Sequence, residues 1–286
     1  MRIVVEHRAA RVLENLARAR ADQRPFLLPA NVCEIVPSSL LAVGRPVQFV
    51  DIDQRDLVMD RDRCVSLLSD DPQEFAGVVF VRTYGAETNE ELFFARVKSV
   101  APHSLLIDDK CLCRPDWNGE KVSSSADVTL FSTGYAKHVD LGGGGFAYLA
   151  PGIPYLDDRS TSAQDGTAYR DRIASALKDA DRHKQMMNDI YFDGIPRSIQ
   201  LPEVFQRWRF NIQVDESVQL VESLFAAGLF ASRHYQPAPG TDHRAPVAEQ
   251  LHSRIVNLFN DRYYTETQAR QTVEVVRRHL RYARPV

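Results

Sequence analysis

Lys137 lies in the stretch FSTGYAKHVDLGGGGFAYL, Phe131–Leu149, in a short connection between two apolar runs, Val128–Phe131 and Phe146–Leu149. Ser132 and Gly134 precede it, and four consecutive glycines, Gly142 to Gly145, follow. An amine on such a connection can bind a phosphate as a cation, or attack a carbonyl and form a Schiff base. Glycines, lacking a Cβ, let the backbone approach a ligand closely. The pattern also describes a surface lysine ahead of a glycine-rich turn. It is not a P-loop, because its glycines follow the lysine and lead into a strand. Upstream, the apolar run Leu105–Ile107 leads into two carboxylates, Asp108 and Asp109. Aspartates at a strand end can serve a site or cap a turn.

The elements that position these groups follow from periodicity. Ile3–Val5, Phe26–Leu28, Val47–Val50, Val78–Val81 and Leu105–Ile107 read as short strands. Between them Ala9–Ala21, Val32–Ala42, Arg61–Leu68 and Asn89–Val100 read as helices, the second closed by Gly44. Strands alternating with helices imply a mostly parallel sheet covered on both faces. Functional groups in such sheets gather beyond the carboxyl ends of the strands. The residues there are Pro29-Ala30-Asn31, Asp51, Arg82-Thr83-Tyr84-Gly85, Asp108-Asp109 and Ser132. Beyond Pro151, Asp157–Thr167 reads as a polar loop and Tyr169–Ile190 as one long helix. Trp208, Phe210 and Ile212 alternate with Arg209, Asn211 and Gln213 as a half-exposed strand does. Val218–Ala227 reads as a helix closed by Gly228, with Leu229–Tyr235 and Ile255–Leu258 as strands. Thr265 and Gln268 have capping-box spacing ahead of a final amphipathic helix. The expected organisation is a large α/β domain over residues 1–190 and a small C-terminal α+β domain over 191–286.

Composition narrows the function classes. With 44% hydrophobic and 26% charged residues the chain has the make-up of a soluble globular protein. A net charge of −3 does not suggest nucleic acid as a partner. No apolar run approaches the roughly 20 residues that cross a bilayer, and the N-terminus has no signal-peptide pattern. The 4 cysteines make neither a disulfide framework nor a zinc site, since Cys111 and Cys113 lack a second pair. Reduced thiols in a cytoplasmic protein are the expectation.

Several passages, taken in order, resemble the DegT/DnrJ/EryC1/StrS sugar aminotransferases, a group of fold-type I pyridoxal-phosphate enzymes. LLPANVC and AVGRPVQFVDID (Leu27–Cys33, Ala42–Asp53) are similar to that group's Pro-turn, helix and G-x-P-x-x-x-D-I-D passage. VRTYG (Val81–Gly85) looks like its V-H-x-Y-G, and LLIDDKC (Leu105–Cys111) occupies the place of its I-E-D-A-A/C. FSTGYAKHVDLGGGG then looks like F-S-F-x-x-x-K-N-x-x-x-G-x-G-G, with serine, lysine and glycines in matching register. The resemblance implies an aspartate aminotransferase-like (fold type I) large domain with a small C-terminal domain, and pyridoxal 5'-phosphate as cofactor. Lys137 would hold the cofactor as a Schiff base and move the proton. Asp109 would keep the pyridine nitrogen protonated, so that the ring acts as an electron sink. Ser132 would bind the phosphate. The implied reaction moves an amino group from an amino acid donor, glutamate, to a keto sugar on a nucleotide carrier. A homodimer is implied as well.

The chain also departs from that pattern. Glu6-His7-Arg8-Ala9-Ala10 stands where the group has S-G-T-A-A, the start of a helix whose free N–H groups hold the phosphate. His7 and Arg8 thus occupy cofactor-binding positions, with Glu6 adding a negative charge beside them. Arg8 could grip a phosphate with its guanidinium or remain a solvated helix residue. Cys33 stands nearest the place of an aromatic ring over the cofactor, and Leu112 replaces a glutamine or histidine. The group has several tens of residues before its first strand, whereas this sequence starts almost at that strand, and the group's N-Y-R segment, which reaches across the dimer, has no clear counterpart between Pro151 and Gln200. Some relatives carry histidine in place of the Schiff-base lysine and act as dehydratases; here His138 falls one position beyond Lys137. The alternatives are a family member that has lost catalysis and serves as a binding or partner subunit, and a pyridoxal-phosphate enzyme of different chemistry.

Overall fold

A computed structural model describes residues 1–156, 166–237 and 245–282. The strands β1 (Arg2–Glu6), β2 (Phe26–Pro29), β3 (Val47–Val50), β4 (Gly77–Val81), β5 (Leu105–Asp109), β6 (Val128–Ser132) and β7 (Gly145–Leu149) form a 7-stranded sheet in the order β1-β7-β6-β5-β4-β2-β3. From β3 to β6 every pairing is parallel, whereas β7 runs antiparallel to both β6 and β1. The parallel strands β2, β4, β5 and β6 therefore end on one rim. Glu6 at the end of β1 and Gly145 at the start of β7 lie on that rim too, paired with each other.

Alternation along the strands decides what each face buries. Val79, Val81, Leu105, Ile107, Val128 and Leu130 face the helices α1 (Ala9–Arg18) and α2 (Ile35–Leu41). Val78, Phe80 and Leu106 face α3 (Arg61–Asp70) and α4 (Glu91–Val100). Helix α1 belongs where it is because Val12, Leu13, Leu16 and Ala17 make one apolar stripe, all fully or almost fully buried. Gly44, at φ +74, ends the α2 segment as expected, with Arg45 N–H returning to the Leu40 carbonyl.

Helix α5 (Gly166–Gly194) leads to a second, 3-stranded antiparallel sheet in the order β8-β10-β9, made of β8 (Phe210–Gln213), β9 (Ala231–Ser232) and β10 (Ile255–Leu258). Helices α6 (Ser217–Ala226), α7 (Pro246–Arg254) and α8 (Glu266–Tyr282) complete it. Met187 and Tyr191 of α5, Val273 and Val276 of α8 and Phe210, Ile212 and Val256 of the small sheet form its core. The capping box is present: Thr265 N–H donates to Gln268 Oε1 and Gln268 N–H to Thr265 Oγ1.

Some expectations differ from the structure. Strand β8 is not half-exposed: Arg209 and Asn211 are buried, at 3% and 0% exposure. Arg209 pairs with Asp261 and lies over the Phe259 ring, while Asn257 donates to Asn211 Oδ1. Polar partners inside the small unit thus replaced water on that face. The Leu229–Tyr235 strand shrinks to Ala231–Ser232, because β10 pairs with only that dipeptide. Helix α7 was not anticipated. Asp51 caps it from a great distance in sequence, accepting from the N–H groups of Val247 and Ala248 at 3.0 Å each. The Asp157–Thr167 loop falls mostly outside the described residues, and Gly166 and Thr167 belong to α5.

Candidate active site

Asp108 and Asp109 end β5 and point to opposite faces of the sheet. Asp108 enters the face under α4, where the Arg82 guanidinium donates to both of its oxygens at 2.6 and 3.0 Å. Arg82 also lies over the rings of Phe80 and Phe94. Asp109 enters the face under α1 and accepts from the Cys111 N–H at 2.9 Å. It is 3% exposed. Burial pushes its carboxyl up from the ordinary range, while the Cys111 hydrogen bonds and the Lys137 charge pull it down.

A cavity of about 160 Å³ opens on this face at the rim, and Asp109, Ser132, Lys137 and Arg8 all line it. Ser132 shares the face of Leu130, two residues before it on β6, and its Oγ accepts from the Gly134 N–H at 3.3 Å. The N-terminus of α1, Ala9 and Ala10, lines the opposite wall. Arg8 is its N-cap, with no side-chain capping bond and no acidic residue in the first turn. Those first N–H groups carry the positive end of the helix dipole. The Arg8 guanidinium pairs with Glu14 at 3.1 Å and is 55% exposed. Glu6 is drawn off by Asn15 and Tyr155, which donate to its carboxylate at 2.9 and 2.7 Å. His7 does not line the cavity; its side chain is exposed, and its carbonyl accepts from the Gly144 N–H at 2.6 Å.

The glycines bring the loop onto α1. Gly144 has φ +103, and a Cβ on Gly145 would stand 2.4 Å from the backbone of Ala9. Between Ser132 and these glycines the chain turns sharply. Ala136 adopts φ +58, and Lys137 N–H reaches back to the Gly134 carbonyl at 3.2 Å. His138 turns away from the cavity and meets Asp181 of α5 at 2.7 Å, its imidazole pushed toward the neutral form by burial. On that side a wider groove of about 920 Å³ runs along α5, and Lys137 lines it as well.

Cys33, Cys111, Leu112 and Tyr235 also line the cavity. From the sequence Tyr235 reads only as the end of a strand, not as a site residue. It comes from the small unit, stacks on Trp208 at 5.9 Å, and has its hydroxyl pushed well above the usual range by burial. Periodicity carries no signal for a residue that reaches a site so distant in sequence.

The strand order, the single reversed strand and a site at the carboxyl ends of the parallel strands define the fold of the type I pyridoxal-phosphate-dependent aminotransferases. Among solved structures, the chain is similar to Helicobacter pylori PseC, an aminotransferase involved in the biosynthesis of pseudoaminic acid, with a TM-score of 0.76 at 14% identity over 99% of this chain and 87% of that one. It is also similar to the sugar aminotransferase CalS13 from Micromonospora echinospora (TM-score 0.71, 18% identity, 96% and 87% covered). A DegT DnrJ EryC1 StrS aminotransferase from Brucella abortus is a further neighbour (TM-score 0.72, 15% identity, 98% and 86% covered). No protein-family model and no curated protein matches the sequence.

Proposed function

We propose that the protein is a pyridoxal-phosphate-dependent aminotransferase acting on a nucleotide-linked keto sugar, with glutamate as amino donor. The observation that carries this reading is the convergence on one cavity of Lys137, Asp109, Ser132 and an uncapped helix N-terminus. These groups fit the cofactor. Lys137 would hold its aldehyde carbon, Asp109 its ring nitrogen, and Ser132 with the α1 N–H groups and Arg8 its phosphate. Bound there, it would supply an electron sink for a carbanion.

The residues of the chain supply the rest. Burial holds the Asp109 carboxyl up toward protonation and the Lys137 charge only partly opposes this, so Asp109 would give its ionised form, and a stronger hold, to a protonated ring nitrogen. Lys137 Nζ, freed from the cofactor, would take the proton from the donor's α-carbon. The groove along α5 gives room for a nucleotide-linked substrate, with Arg172, Arg182 and Arg262 among the aspartates on its walls. The sugar-aminotransferase neighbours support the substrate class. A cytoplasmic homodimer belongs to the same reading and is checked by light scattering.

The test is an absorbance spectrum with and without added pyridoxal phosphate. A visible band that vanishes in Lys137→Ala is expected. A protein that stays colourless and takes up no cofactor would falsify the reading.

A further inference from the structure

Three described non-glycine residues adopt the left-handed backbone region: Leu57, at φ +59, whose carbonyl is held by Asn31; Tyr84, at φ +53; and Ala136, at φ +58. Side chains disfavour that region, and it persists only where neighbours enforce it. Tyr84 and Ala136 both give their carbonyls to Trp208. The Trp208 backbone N–H donates to Tyr84 O at 3.2 Å, and its indole Nε1–H donates to Ala136 O at 2.7 Å. The Trp208 carbonyl is held in turn by Lys184 Nζ at 2.9 Å. The indole ring lies parallel to two tyrosine rings, Tyr84 at 6.4 Å and 2° and Tyr235 at 5.9 Å and 13°.

Ala136 immediately precedes Lys137, and Tyr235 lines the Lys137 cavity. We propose that Trp208 is a positioning residue: its indole N–H pins the backbone that carries the Lys137 amine, while its ring backs Tyr235 in the wall of the same cavity. One side chain from the small unit thereby sets both the reactive amine and a part of the wall around it. The inference rests on the reading of Lys137 as the reactive amine, but its geometry does not need the cofactor. With the indole bond gone, Ala136 has nothing on its carbonyl to hold it left-handed, and the lysine swings out of its setting toward solvent.

The experiment is acetic anhydride labelling of the cofactor-free protein, read at Lys137 by mass spectrometry against exposed Lys178. Trp208→Phe keeps a ring and loses the N–H. Labelling of Lys137 relative to Lys178 should rise about fivefold, the equivalent of losing one ordinary hydrogen bond. Adding Ala136→Gly should bring the ratio back toward wild type, because glycine adopts the left-handed region without penalty. If Trp208→Phe does not fold, benzothienylalanine at 208 keeps the indole's shape without the donor. An unchanged ratio in a folded variant, or no recovery with glycine at 136, overturns the proposal. Pyridoxal phosphate added to wild type should protect Lys137. Failure of protection alone would count against the proposed function, while the labelling ratios still decide the role of Trp208.

Discussion

Asp108 and Asp109 are neighbours in sequence and lie on opposite faces of β5, one locked to Arg82 and the other facing the Lys137 cavity. Removing each should therefore fail differently. Asp108→Ala strips a buried guanidinium of the carboxylate that accepts two of its bonds, leaving Glu90 at 3.8 Å as its remaining counter-charge, and should cost about 3 kcal/mol of stability. Asp109→Asn should leave the melting temperature unchanged or raised. The raised Asp109 carboxyl makes folding lose stability as pH rises above the ordinary carboxylate range, and the amide removes that loss. The same variant should abolish the visible band with pyridoxal phosphate. Thermal melts and spectra of the two variants check both statements.

Gly145→Ala tests the seating of α1 against the glycine loop. The added Cβ meets the Ala9 backbone at 2.4 Å, so the helix N-terminus must shift. The expected outcome is a loss in affinity for pyridoxal phosphate of about tenfold or more, equivalent to about 1.4 kcal/mol. Equilibrium titration measures it. An unchanged affinity would show that the α1 N–H groups do not hold the anion.

Lys184 should make stability depend on pH near neutrality. Burial, with the Arg209 charge added, pushes its ammonium down to about 7, and Asp261 and Asp181 only partly oppose this. The unfolded chain then holds a proton that the native state gives up, so stability rises as pH climbs from about 7 toward the ordinary lysine value of 10.5. The melting temperature should increase between about pH 7 and 8.5, and Lys184→Met should flatten that slope.

Asp51→Ala should remove the cap on α7. Two N–H groups lose their acceptor, and the expected cost is about 1 kcal/mol. The melting temperature should fall by about 2–4 °C. Hydrogen exchange should show the loss concentrated in the first turn of α7.

The large sheet was legible because its strands are short apolar runs separated by periodic helices, and each expected strand from Ile3 to Leu149 is present. Lys137, Ser132 and Asp109 could be singled out because they lie at strand ends in a recognisable order. Asp51 and Arg82 had the same local appearance, yet their partners, the α7 N-terminus and Asp108, make them structural. Only the fold reveals which strand-end polar group is already spoken for. The small unit was harder to read for a related reason. Arg209 and Asn211 look like solvent-facing positions until Asp261 and Asn257 are brought against them. Trp208 and Tyr235 belong to the site only through contacts that cross the chain.

The reversed strand β7 has a consequence for how the protein is made. Strand β1, Arg2–Glu6, is synthesised before the other strands of the large sheet, yet its sheet partner is the last-made of them, Gly145–Leu149. Until that strand has been synthesised β1 lacks its neighbour in the sheet, and α1 cannot dock its N-terminus. A nascent chain arrested before Gly145 should therefore be unable to grip an anion at Arg8 and Ala9, although it already contains the lysine.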